Sequence, residues 1–395
     1  MIQKIKYEMK KYVITKSNFF LLIAITLVSI GVLFWSEGGY FSEKDIRQNF
    51  YERIEEMNFS VADKQKIVGE RARIEQEIYG EDFVEPKKEE MAKQGEYADT
   101  KLDDYELLGE VLTCIDIVEK RNRNTALIVE RYEGEKGNYQ EEDNQMLVDR
   151  KKLTASVRNM LFGGVPCLLI IFVLSSSFAM EYESNVNHVL RITKKGNLIY
   201  ISKLLTGIII AIVLNLYFWG IYYIFQFLFL GMTVQDWRQP LFLVEGCQMC
   251  ASGMTVESFF VKQIFVSMLV SVLIALLTML LSKTIRKSIF TLLVSISIFV
   301  ITLLPDLLNT VIYSNTYLAK MSDWYLMSEP DFYRMLQTEK IINPISLLQF
   351  QYYVEQPRYI QISDYQYPVD VFPILGAVFL IGIFSVALSN EKTGR

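Results

Sequence analysis

Long apolar blocks alternate with polar stretches along this chain. Six blocks are long enough, or nearly so, to cross a bilayer: residues 18–35, 161–180, 204–230, 261–282, 288–304 and 371–388. At a rise of about 1.5 Å per residue, a helix needs about 20 apolar residues to cross a hydrocarbon core about 30 Å thick. No water there satisfies backbone amides and no closed barrel is readable, so each block must be helical. The pattern predicts an all-α membrane protein with six transmembrane helices, an N-terminal amphipathic elbow helix over 1–17 and a helical extracellular domain over 36–160, between helices 1 and 2. The remaining segments are 181–203 and 283–287 on the cytoplasmic side, an outer loop over 231–260, extracellular or re-entrant helices over 305–370, and a cytoplasmic tail over 389–395.

Basic residues set the orientation. Lys4, Lys6, Lys10, Lys11 and Lys16 precede the first block. Arg191, Lys194, Lys195 and Lys203 lie between the second and third, Lys283, Arg286 and Lys287 between the fourth and fifth, and Lys392 and Arg395 after the sixth. The loop 231–260 on the other side has only Arg238. Both termini are therefore expected in the cytoplasm. Ile2, Ile5, Met9, Tyr12 and Val13 form an apolar stripe with lysines on the other faces, the pattern of a helix lying among headgroups, though a plain positive-inside anchor fits too. A cleaved leader is disfavoured because SEGGYF, after the first block, offers no small-x-small site.

Composition agrees with spans plus polar mass: of 395 residues 51% are hydrophobic, yet 22% are charged. The acidity is concentrated, with 30 acidic and 20 basic residues between 36 and 160. Ile46, Phe50, Ile54 and Met57 recur at helical spacing, as do Leu108, Leu112, Ile115 and Val118. Ser42 with Asp45, Ser60 with Asp63 and Thr100 with Asp103 read as helix starts, an oxygen at the cap and an acid in the first turn. Residues 80–99 read as a polar linker. A small helical bundle with solvated faces is the plain reading of this domain, and a substrate-gripping role the sharper one.

The segment EYESNVNHVLRITKKGNLIYISK, residues 181–203, is unusual because it separates two spans with more than a turn. Val186, Val189 and Leu190 fall on one face from Tyr182 onward, with Glu181, Glu183, Asn185, Asn187 and Arg191 elsewhere. Acids lead and bases trail, as the helix dipole favours, and Gly196-Asn197 closes the helix. Such a helix can seat its apolar face in a groove of a partner.

Phe178-Ala179-Met180-Glu181-Tyr182-Glu183, then a short polar helix, then Lys194-Lys195-Gly196 and Lys203-Leu204-Leu205, resembles the permease subunit of ABC-2 type transporters. The six blocks, the cytoplasmic ends, the elbow and the large first outer domain resemble that family along most of the chain. One departure is Ser184-Asn185-Val186, where members often have Gly-Thr or Gly-Ser. The resemblance implies a bacterial plasma-membrane exporter for a peptide, antimicrobial or lipid-like cargo. It also implies that 181–195 is a coupling helix docking on a separate cytosolic ABC ATPase, which carries the ATP and Mg. Glu181, Tyr182, Glu183, Val186, Val189, Leu190, Arg191, Lys194 and Lys195 are the expected ATPase-coupling residues. Re-entrant helices are implied between the fifth and sixth spans.

The chain has no GxxxxGK[ST], so ATP must be handled by another chain. Its single histidine, His188, builds neither a triad nor a histidine-rich metal site. No catalytic residue, metal or cofactor is expected in this chain, and no nucleic-acid partner. Cys247 and Cys250 form a lone CxxC, read as a local disulfide or two thiols. Asn215, Trp219 and Gln226 are candidates for a substrate path, against the alternative that polar residues in spans hold helices together. Six helices make half a pathway, so a second permease chain, identical or related, is expected. The competing functional reading is a membrane sensor that detects an extracellular peptide and signals through the ATPase. An enzyme or an ATPase-free scaffold fits less.

Overall fold

The computed structural model describes residues 3, 7–8, 10, 16–56, 64–79, 103–119, 149–157, 163–186, 196–244, 247, 254–312, 338, 341–350, 353–354, 359–362 and 365–389. Helices α1 (Lys16–Ser36), α2 (Gly38–Glu56) and α3 (Lys64–Tyr79) are followed by α4 (residues 103–119), α5 (Arg150–Val157), α6 (Gly164–Leu174) and α7 (Ala179–Glu183). Then come α8 (Gly196–Phe225), α9 (Val234–Arg238), α10 (Val256–Ile285), α11 (Ser288–Ile312) and α12 (Val371–Ser389). The expectation of an all-α chain holds for most of it, but β1 (Tyr359–Ile362) and β2 (Tyr365–Pro368) pair as a short antiparallel hairpin. Here Tyr and Ile alternate with polar residues, which suits a pleated pair better than a helix.

Among the described residues, five helices are long and apolar enough to cross a membrane: Asn18–Trp35, Gly164–Glu183, Ile199–Leu230, Val256–Ile285 and Val371–Ser389. The fifth block of the sequence forms a shorter apolar stretch, Ser288–Leu304, within α11. At 30 residues, α10 is about 45 Å long and packs against α6, α8, α11 and α12. Thr255 and Ser258 bond each other's backbone N–H to open it, and Arg286, at φ 62, closes it. A Cβ on Gly207 would run into the Met279 sulfur, so this glycine lets α8 lie close against α10. The outermost helices are bare: Phe20, Leu27, Val28 and Trp35 of α1 and Phe379 of α12 are exposed, as suits lipid contact.

Two elements depart from the sequence pattern. The second block is a broken helix, α6 and α7 being separated by a turn at Ser175–Phe178. The third ends in one π-helical turn, Gln226–Leu230, closed by Gly231 at φ 65. Pro344–Gln349 forms a 3-10 turn packed among α10, α11 and α12, with Leu347 and Leu348 buried. Asn343 starts it, accepting from the Ile345 N–H and donating to the Thr302 carbonyl.

Helices α2–α5 form the domain between the first two apolar helices. Phe50, Ile67, Ile74, Leu107, Leu108, Val111 and Ile115 make its small core. Two sequence expectations fail here. Ser42 lies inside α2 rather than at its cap, and Ile46 is exposed, because α2 begins at Gly38 and turns Phe50 and Arg47 inward. The starts at Ser60 and Thr100, the residue Met57, the linker 80–99 and the elbow stripe of Ile2, Ile5, Met9, Tyr12 and Val13 lie outside the described residues.

Arg47, with only 1% of its side chain exposed, holds this domain together through Glu43, Glu110 and Asp149, the pair with Glu110 being bidentate. The hydrogen bond from Lys151 holds Glu43 below the usual carboxylate range. Burial pushes Glu110 up, but the Arg47 hydrogen bond and charge outweigh it and bring it below that range. Burial raises Asp149 against the pull of Arg47. Glu43 and Glu110 therefore stabilise the folded domain above the ordinary carboxylate range, and that contribution is lost as pH falls through their depressed values. Asp149 acts oppositely, since folding favours its protonation. Amide exchange of α2 and α4, corrected for intrinsic rates, should show protection falling below about pH 4. Protection that is flat down to pH 2 would mean the arginine cluster contributes nothing.

Candidate functional site

The apolar helices run in alternating directions, so the bundle has an end carrying the α2–α5 domain and a far end where 175–186, 196–203, 282–288 and the last turn of α12 meet. The far end is built on polar side chains that lipid would not tolerate alone. Lys203 Nζ lies 2.5 Å from Glu181 Oε2, with 1% and 10% of the side chains exposed. The same ammonium donates to the Ser177 carbonyl at 3.0 Å and stands 4.5 Å above the Phe178 ring, which stacks on Tyr200. Burial of this lysine is thus matched by a carboxylate, a carbonyl and a ring face.

Next to it, Ser282 of α10 completes the break between α6 and α7. Its hydroxyl accepts from the N–H groups of Phe178 and Ala179 at 3.0 and 2.9 Å and donates to the Ser175 carbonyl at 2.8 Å. Lys283 reaches across to α12, donating to the Ala387 carbonyl at 3.0 Å and lying over the Tyr200 ring. Glu183 caps α11, accepting from Ser288 N–H at 2.8 Å and from its hydroxyl at 3.1 Å. Arg286 lies 5.0 Å above the Tyr182 ring. Five helices, α7, α8, α10, α11 and α12, are therefore tied together around residues 178–183.

Comparison of the chain with protein-family models, with curated proteins and with solved structures finds no match. What the chain does must be argued from its own geometry.

The sequence-derived coupling residues divide accordingly. Glu181, Tyr182 and Glu183 face other helices of this chain: Glu181 is buried, Tyr182 packs against the core and Glu183 reaches α11. The helix does not run on from Tyr182 as one amphipathic piece, because α7 stops at Glu183 and Asn185 turns left-handed at φ 56. Asparagine tolerates that conformation better than most residues. Val186 is exposed beyond the turn, as is Met180 before it. Val189, Leu190, Arg191, Lys194, Lys195 and His188 lie outside the described residues.

Asn215, Trp219 and Gln226, the candidates for a substrate path, are buried between helices. Asn215 Nδ2 donates to Ser267 and Ser271 hydroxyls at 2.9 Å each, and Trp219 Nε1 donates to Ser267 at 2.6 Å. Gln226 Nε2 and the Tyr222 hydroxyl both donate to the Ser156 carbonyl, at 2.6 and 2.8 Å, fastening α5 to α8. These bonds hold helices to one another, as hydrogen bonds in lipid commonly do. Ser282 and Lys283 went unnoticed in the sequence as site residues. The available signal was a serine–lysine pair at the boundary where an apolar block ends.

Cys247 is buried and Cys250 lies outside the described residues. Burial pushes the Cys114 thiol up to about 11, so it is no ready nucleophile. Among the described residues, no group of three or more His, Cys, Asp or Glu side chains is arranged to hold a metal.

Proposed function

We propose that this chain is the membrane-spanning subunit of an ABC-2 type exporter, driven by ATP hydrolysed in a separate cytosolic ATPase and working beside a second permease chain. The far end is its cytoplasmic end, α11 crosses as the fifth of six spans, and residues 184–195 are the part gripped by the ATPase. The observation carrying this reading is that the residues leading into that segment are anchored to the spans. Glu181 is locked to α8 and Glu183 to α11, so a displacement of 184–195 reaches several spans at once. Exposed Met180 and Val186 flank the anchor and supply apolar surface for a groove. Coupling requires only that the segment bind the ATPase differently in its open and closed states.

A second reading, in which the α2–α5 domain senses an external ligand and signals inward, is favoured by how firmly that domain grips the span ends. Lys44 Nζ donates to the Phe229 carbonyl at 2.5 Å, Lys152 pairs with Asp236 at 2.6 Å, and Arg150 Nε donates to the Leu243 carbonyl. Cargo movement in reconstituted vesicles separates the two readings. For the shared architecture, the test is topology and partnership. A cysteine at Asn187 should react with an impermeant maleimide only from the cytoplasmic face, and the gently purified, tagged chain should bring down an ATPase. Labelling from outside the cell would refute both readings.

A further inference from the structure

A cavity of about 290 Å³ lies where the α2–α5 domain meets the end of α8. One wall is Tyr40, Tyr51, Glu52 and Asp149; the other is the segment from Leu230 through Thr233 to Asp236. Its basic side chains are already turned to other acceptors, Lys44 to the Phe229 carbonyl and Lys152 to Asp236. Among the described residues, two of its carboxylates, Asp149 and Asp236, are only half used. The hydrogen bonds to Asp149 arrive at Oδ1, from Arg47 and the Lys152 N–H, and those to Asp236 arrive at Oδ2, from Lys152 and Thr233. Among the described residues, the Tyr51 hydroxyl is buried yet makes no hydrogen bond. A buried hydroxyl left unmade costs stability, so its retention in a polar cavity points to a ligand atom that completes it.

We propose that this cavity binds an organic cation, an alkylammonium or guanidinium group, between the domain and the bundle. The open carboxylate oxygens accept its N–H donors, Tyr51 supplies a further acceptor, and the Tyr40 and Tyr51 rings in the lining favour a cation over an anion. The volume is at the lower edge of the usual range for ligand pockets, about 300–1,000 Å³, which admits a small amine or one basic side chain but not a whole peptide. The bound group touches α2 and the end of α8 together, so it braces the domain against the spans. This site does not depend on the export reading, because binding is measured on the purified chain without ATP or an ATPase.

The full-length protein in detergent is titrated calorimetrically with argininamide, with a short peptide carrying a single arginine, and with glutarate as an anionic control. Saturable binding of either cationic probe is expected, and none of glutarate; the tighter of the two identifies a free solute or a peptide side chain as the source. Tyr51→Phe removes only the unpartnered hydroxyl and should weaken binding about three- to tenfold with the thermal midpoint unchanged or raised. Gln235→Lys, on the exposed rim, adds a competing charge and should abolish it. The proposal is overturned if neither cation binds, if glutarate binds as well, or if both variants bind like the parent chain.

Discussion

Replacing Lys203 by methionine should destabilise the bundle by about 3–5 kcal/mol, the usual cost of leaving one member of a buried ion pair alone. The substitution strands the Glu181 carboxylate, removes the donor to the Ser177 carbonyl and takes the charge off the Phe178 ring. Pairing Lys203→Met with Glu181→Gln should recover most of that loss, because two apolar or neutral groups of similar size commonly replace a buried pair at little cost. Thermal unfolding of the purified single and double variants closes the cycle. Equal stability of the single variant and the parent would show that the pair does not anchor the break between α6 and α7.

The second large effect concerns transmission rather than stability. Glu183→Lys replaces the acceptor at the start of α11 with a cation facing the positive end of that helix. Loss of the cap costs about 0.5–2 kcal/mol and the reversed charge about 0.3–1 kcal/mol more. Together these are comparable to a typical coupling free energy of about 1–3 kcal/mol. If the export proposal holds, ATP-driven cargo movement by the reconstituted complex should therefore fall about tenfold, while the chain still inserts and still recruits the proposed ATPase. Glu183→Gln keeps an oxygen for the Ser288 N–H and should retain most of the activity. Parental export rates from Glu183→Lys would refute the link between 184–195 and α11.

The apolar blocks were legible because burial in lipid is a matter of local composition, and each helix satisfies its own backbone. The roles of single polar residues were not, because their partners lie far along the chain. Glu181 and Glu183 look like a solvent-facing acidic pair beside Tyr182. In the fold, Glu181 finds Lys203 and Glu183 finds Ser288, distances in sequence that no periodicity encodes. Asn215 shows the same limit, since nothing in its own span says that Ser267 and Ser271 will meet it. Ile46 misled because its spacing matched Phe50 while the buried face of α2 had been rotated to take Arg47 in. The β1–β2 hairpin was missed although its alternating tyrosines were visible, since two four-residue strands make a weak signal beside long apolar blocks.

The hydroxyl of Ser282 has one proton to give and two lone pairs to offer, and all three are spent on the backbone around Ser175–Phe178. A gap in a helix often acts as a joint because its freed amides can change partners cheaply. Here Ser282 holds two of them in place. On the export proposal, a push arriving at residues 184–195 would therefore tilt the second and fourth apolar helices as one welded beam, so the place where the protein gives way has to be sought at the seam with α1, which meets the bundle chiefly at α6.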